Sequence, residues 1–148
     1  MNKVAAYETI VPQIKALISD EMDLIANLAN ISSVLQTAFS HHWTGFYLVK
    51  NNELVLGPFQ GPVACTRISY GKGVCGTSWK EQKSIIVNDV HKFEGHIACS
   101  TLSNSEIVIP LRDNNTVWGL LDIDSIEFSA FDEIDEKYLS EICALIRL

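Results

Sequence analysis

Positive charge is scarce in this sequence: 11 Lys and Arg stand against 18 Asp and Glu, for a formal net charge of −7. The few cations are scattered, whereas phosphate binding needs them clustered, so neither a nucleic acid nor an anionic membrane surface is expected as a partner. Nor is there an apolar run approaching the roughly 20 residues of a membrane span. Glu8 interrupts the N-terminus before a signal-peptide apolar core can form. The expectation is a cytoplasmic protein whose thiols stay reduced. The four cysteines form no C-x-x-C pair, which disfavours zinc ribbons and thioredoxin-type motifs. Repeats, low-complexity tracts and linkers are also lacking, so residues 1–148 read as a single domain. What is present fits a folded chain: 47% hydrophobic and 20% charged residues exclude disorder.

The apolar pattern predicts two opening helices. In the second, Met22, Ile25, Leu28, Ile31, Leu35 and Phe39 make one stripe at three- and four-residue steps. Residues 44–50 and 53–56 then read as strands around an Asn51-Asn52 turn, followed by punctuation at Gly57 to Gly61. A short strand through 65–68, a glycine-opened helix to about Gln82 and a strand over 84–87 come next. Residues 88–103 show no period, and a loop of that length in a compact domain is usually functional or disordered. Residues 105–112 and 116–125 form a second hairpin. A last helix begins near Phe131, with Ser129 three residues before Asp132 as a capping-box-like start and Ile134, Tyr138, Ile142 and Leu145 as its inward stripe. This order predicts an α+β fold: a mainly antiparallel central sheet, the N- and C-terminal helices on one face, and a loop-covered ligand pocket on the other.

Several residues are candidates for chemistry. Strand alternation puts Trp118, Leu120, Asp122 and Asp124 on one face, and Glu106, on the preceding strand of that hairpin, can approach them. Carboxyls gathered in a cavity raise one another's pKa, so that one stays protonated at neutral pH; the competing reading is solvated acids at a strand end. Cys99 lies in the aperiodic segment and is a candidate nucleophile, against the alternative of a small buried hydrophobe. Cys65 and Cys75 flank the glycine-rich turn, and either can meet Cys99 in space. Cys143, beside Ile142 in the last helix, reads as packing. His91, His96 and Cys99 match no standard zinc spacing, and no metal is expected. The Gly71-x-Gly73-x-x-Gly76 string has no βαβ unit to support a dinucleotide. Trp43 and Tyr47 read as core aromatics or as an aromatic wall for a small ligand.

Taken together, Trp43-Thr44-Gly45-Phe46-Tyr47-Leu48, Gly57-Pro58-Phe59-Gln60-Gly61, Ala64-Cys65-Thr66-Arg67-Ile68, Gly71-Lys72-Gly73-Val74-Cys75-Gly76-Thr77, Asp89-Val90-His91, Gly95-His96-Ile97-Ala98-Cys99, the Ser103 to Leu111 string and Leu121-Asp122-Ile123-Asp124-Ser125 resemble the free methionine-(R)-sulfoxide reductases. The resemblance implies a GAF-like fold and thiol-dependent reduction of free methionine (R)-sulfoxide. It assigns Cys99 as the catalytic cysteine, Cys65 as the resolving one that pairs with it, and Cys75 as an auxiliary. It places Glu106, Asp122 and Asp124 as the acids of the pocket and Trp43 and Tyr47 as its aromatics. Within that frame Glu106 and Asp124 would protonate the sulfoxide oxygen and Asp122 would hold the α-ammonium. Backbone N–H groups around Ile97 and Ala98 would cradle the α-carboxylate. A thioredoxin-like reductant is implied, no cofactor is, and a homodimer is among the expectations. Ser100-Thr101 departs from the acidic and small residues expected after the catalytic cysteine, and the last helix stops early. Two other classes stay open: a GAF-type sensor that binds without turnover, and a zinc-dependent module.

Overall fold

In the computed structural model, residues 2–97 and 99–148 are described. Their strands, β1 (Trp43–Lys50), β2 (Glu53–Gln60), β3 (Arg67–Ser69), β4 (Ile85–Val87), β5 (Ser105–Asp113) and β6 (Thr116–Ser125), form one sheet in the order β3-β2-β1-β6-β5-β4. Every ladder is antiparallel, as the hairpin spacing predicts. Both hairpins turn on asparagine: Asn51, Asn52 and Asn114 take φ of 51°, 63° and 55°, a left-handed conformation that Asn tolerates better than most residues.

Helices α1 (Lys3–Ile18), α2 (Leu24–Phe39) and α4 (Glu133–Leu145) lie on one face of the sheet. There Ile14, Leu28, Ile31, Leu35, Leu139 and Ile142 pack with Phe46, Ile107, Leu121 and Ile123. Helix α3 (Gly73–Glu81) covers the opposite face together with the loops, so that face is not closed by loops alone. No helix among the described residues is long and apolar enough to cross a membrane.

Five sequence readings need correction. The α2 stripe starts later than its periodicity indicates: Met22 precedes the helix and is 90% exposed, and Ile25 is 52% exposed. In α4 the buried face is Leu139, Ile142 and Cys143, with Ile134 and Tyr138 only half-buried at its edge. That helix is capped by Asp132, whose side chain accepts from the Ile134 and Asp135 N–H groups in a reciprocal box with Asp135. Ser129 is instead a left-handed turn residue, at φ 53°. β2 does not stop at Leu56 but runs through Gly57 and Pro58 to Gln60. Proline has no N–H for a ladder, and Pro58 is accommodated because the β1–β2 register shifts there, between the Gly45–Phe59 and Tyr47–Leu56 pairs. Cys65 lies just outside its strand, which begins at Arg67.

Candidate active site

Asp122 and Asp124 point to the pocket face because β6 alternates, and Glu106 meets them because β5 pairs with β6 in register, Glu106 directly opposite Asp124. Trp118 does not share that face. The register runs from Leu111–Gly119 to Arg112–Val117, leaving Trp118 as an extra residue on β6, and this bulge turns it into the helix-side core. Glu106 and Asp122 are buried and Asp124 is half-buried. Carboxylate oxygens of all three lie within 4.8 Å of one another.

That proximity in a dry site sets their protonation. Burial, then the charges of Asp122 and Asp124, push Glu106 well above the usual carboxyl range. Burial and the charge of Asp124 do the same to Asp122. Burial lifts Asp124 to about 7, while its hydrogen bond with Glu106 pulls the other way. Glu106 is therefore the protonated donor and Asp124 the acceptor of that bond. Asp122 is hydrogen-bonded by the Cys75 thiol, and its Oδ1 is buried with no partner. An orphaned acceptor of this kind costs free energy unless a donor arrives with a ligand.

The remaining walls come from three segments. β1 contributes Trp43 and Tyr47, both buried, with ring centroids 6.0 Å apart. Trp43 stacks on Phe59 and donates through Nε1 to the Pro62 carbonyl at 3.0 Å. The Tyr47 hydroxyl donates to the Cys65 carbonyl at 2.8 Å, tying the aromatic wall to a cysteine. The N-cap and first turn of α3 supply Lys72, Gly73 and Cys75 to the lining. Cys75 is buried, and burial followed by the three carboxylates pushes its thiol well above the usual value.

Cys65 and Cys99 form a disulfide, with Cα atoms 5.4 Å apart and a sequence separation of 34. Cys99 is exposed and Cys65 half-buried. Cys99, Ile97, His96 and Ser100 line the same cavity of about 50 Å³ as the three acids. A larger groove of about 500 Å³ between α1 and α2 is lined by side chains such as Ile10, Leu17 and Val34 and offers no titratable group. Chemistry therefore points to the smaller cavity.

A family model described as a GAF domain matches residues 22–148. A free methionine-R-sulfoxide reductase of Escherichia coli (strain K12) is 46% identical, over 97% of this chain and 88% of that protein. This chain belongs to the family of free methionine-R-sulfoxide reductases, a branch of the GAF fold. A Saccharomyces cerevisiae relative of the same name is 38% identical over 99% of this chain and 86% of its own length. The solved structure of the Neisseria meningitidis free methionine-R-sulfoxide reductase, in complex with its substrate, superposes with a TM-score of 0.97 at 49% identity, covering 99% of this chain and 89% of that one. Membership of the family agrees with the resemblance carried by the motifs.

The structure brings Cys75, Cys99, Glu106, Asp122, Asp124, Trp43, Tyr47 and Ile97 to one cavity, and Cys65 is joined to it through its disulfide with Cys99 and its carbonyl's bond to Tyr47. Ala98 lies outside the described residues. His91 is drawn off to Asn104, its Nε2 lying 3.0 Å from Oδ1, and does not form a ligand set with His96 and Cys99. Cys143 packs in the helix-side core as read. Sequence reasoning missed two features. Phe59 backs Trp43, hidden in a stretch read as turn. His42 Nε2 meets the Ser100 hydroxyl at 3.0 Å, linking the residue after Cys99 to the start of β1. Those two residues are 58 apart, and no local pattern signals such a pair.

Proposed function

We propose that this protein reduces free methionine (R)-sulfoxide to methionine with its own thiols. The observation that carries this reading is the Cys65–Cys99 disulfide, whose Cys99 lines the same cavity as three carboxyls whose pKa values are raised. A sulfoxide oxygen leaves only when protonated, and Glu106, held neutral and bonded to Asp124, supplies that proton. The Cys99 thiolate attacks the sulfoxide sulfur. The S–O oxygen passes to Cys99 as a sulfenic acid, and methionine is released. The Cys65 thiol then displaces water from the sulfenic acid and forms the disulfide. A thioredoxin-like dithiol restores both thiols at the cost of its own oxidation, with no metal or organic cofactor taking part.

Recognition follows from the same walls. The unpartnered Oδ1 of Asp122 receives the substrate's α-ammonium. The backbone N–H of Ile97, on the cavity wall, takes the α-carboxylate. Trp43 and Tyr47 pack on the S-methyl group and select the hand at sulfur. All these groups come from one chain, so the reading does not depend on a homodimer. It does require a compartment that keeps thiols reduced, such as the cytoplasm.

The test is methionine release with dithiothreitol as reductant from the free R sulfoxide, the free S sulfoxide, and the R sulfoxide acetylated and amidated at its ends. Only the free R form is expected to turn over, and Cys99→Ser is expected to abolish that turnover. Comparable rates on the blocked substrate, or activity persisting in Cys99→Ser, would sink the proposal.

A further inference from the structure

The two stretches of chain that carry the disulfide are themselves uncharged, although Lys72 stands on the α3 side of the same cavity. These two segments, residues 61–66 and 96–103, contain no Asp, Glu, Lys or Arg over fourteen positions. At the chain's average of 20% charged residues, about three would be expected there, and depletion of charge is the compositional mark of an interface core. The same segments present large apolar side chains to solvent: Val63 is 87% exposed, Leu102 61% and Ile97 39%. Chain length limits how far these can lie from the cysteines. Val63 is within roughly 7 Å of Cys65, Ile97 within roughly 7 Å of Cys99 and Leu102 within roughly 11 Å of Cys99, Cα to Cα. With the two cysteine Cα atoms 5.4 Å apart, the three side chains border one disulfide.

The disulfide is also asymmetric. Cys99 is exposed, whereas Cys65 is half-buried and its carbonyl is held by the Tyr47 hydroxyl. Thiol exchange requires an incoming thiolate to reach a sulfur, and access decides which one.

We propose that this apolar rim, with Val63 and Leu102 on its two sides, is the docking surface for a protein dithiol, which attacks Sγ of Cys99. The proposal deepens the sulfoxide-reductase reading and rests on it for its place in the cycle. In the first step the partner's thiolate forms a bond to Cys99 Sγ. The Cys65–Cys99 bond breaks, and its electron pair leaves on Cys65, which takes a proton from solvent. In the second step the partner's other thiolate attacks its own sulfur in the mixed disulfide, and Cys99 departs as a thiolate. The partner is oxidised by two electrons and the disulfide of this protein is reduced by two. A small dithiol completes the same exchange without using the rim, which separates docking from chemistry.

The experiment follows reduction of the pre-formed Cys65–Cys99 disulfide directly, with no sulfoxide present, by counting alkylated thiols over time. Its outcome is therefore independent of the substrate proposed above. Reduced thioredoxin and dithiothreitol serve as the two reductants. Val63→Asp and Leu102→Asp are each expected to slow reduction by thioredoxin at least fivefold, and together more than tenfold. Reduction of Leu102→Asp by dithiothreitol should stay within twofold of wild type. A thioredoxin with its second active-site cysteine replaced by serine should be trapped on Cys99, as read by peptide mass. Unchanged thioredoxin rates in the double variant, equal slowing with both reductants, failure of thioredoxin to reduce the wild-type disulfide, or a trapped adduct on Cys65 would each overturn the proposal.

Discussion

Three carboxyls share a space too dry to hold three negative charges, and the sequence shows why they meet. Asp122 and Asp124 are two apart on a strand, and Glu106 faces Asp124 across a hairpin whose asparagine turn is visible in the sequence. Their grouping was legible, and so was the upward direction of their pKa values. The thiol of Cys75 on Asp122 was not, because it arrives on α3 from a part of the chain whose position no local pattern fixes. The proton inventory has a consequence for stability. Asp124 is lifted from the ordinary 3.8 to about 7 in the folded protein. Between these values the native state holds a proton that the unfolded chain has released, so stability falls as pH rises through this window. Replacing Asp124 by Asn removes the titration and also relieves Glu106 and Asp122 of its charge. The melting temperature of wild type minus that of Asp124→Asn should therefore shrink by several degrees between pH 5 and pH 8. Parallel curves for the two proteins over that range would rule out a proton held by this cluster.

At the scale of elements, periodicity located the strands and helices and asparagine marked the hairpin turns, whereas the α4 cap, read at Ser129, is formed by Asp132. Two irregularities escaped it for one reason: a bulge belongs to a pair of strands, not to a sequence. Pro58 read as a terminator because a proline inside a ladder normally is one. The register shift in β1–β2 lets the strand continue and brings Phe59 beneath Trp43. Trp118 read as a pocket residue because simple alternation from Asp122 puts it there, and the β5–β6 bulge reverses it. Gly45 shows how tightly the first of these is built. A Cβ at that position would overlap the Phe59 side chain and come within 2.6 Å of the Trp43 ring. Gly45→Ala should cost roughly 1–3 kcal/mol in urea unfolding, the usual range for overpacking. The displaced Trp43 should also raise KM for the free sulfoxide more than it lowers kcat. An unchanged urea midpoint with unchanged KM would show that Phe59 and Trp43 give way freely.

Across the whole molecule the sheet divides the labour. Its helix side holds an apolar core that fixes the register of β1, β5 and β6, and its other side spends that register on a polar cavity closed by α3 and the Cys99 segment. Three cysteines serve the cavity, and the fourth, Cys143, is sealed in the core, which allows the order of thiol steps to be tested. Attack on sulfur depends on Cys99 and the pocket acids alone, so Cys65→Ser should still release one methionine per enzyme in a rapid burst. Repeated turnover with thioredoxin should fall at least roughly tenfold, because a protein dithiol reduces a disulfide more readily than a sulfenic acid lodged in a cavity. Cys75 is the remaining pocket thiol. It is buried, bonded to Asp122 and pushed above its usual pKa, so it is a poor substitute until the glycine-rich turn before α3 moves. The single variant should accordingly keep a slow residual turnover, and Cys65→Ser combined with Cys75→Ser should lose most of it while preserving the burst. If the double variant turned over at the wild-type rate, the only thiol left to pair with Cys99 would be the one in the helix-side core. The disulfide step would then have to be removed from the cycle, with sulfenic acid reduced directly by the external thiol.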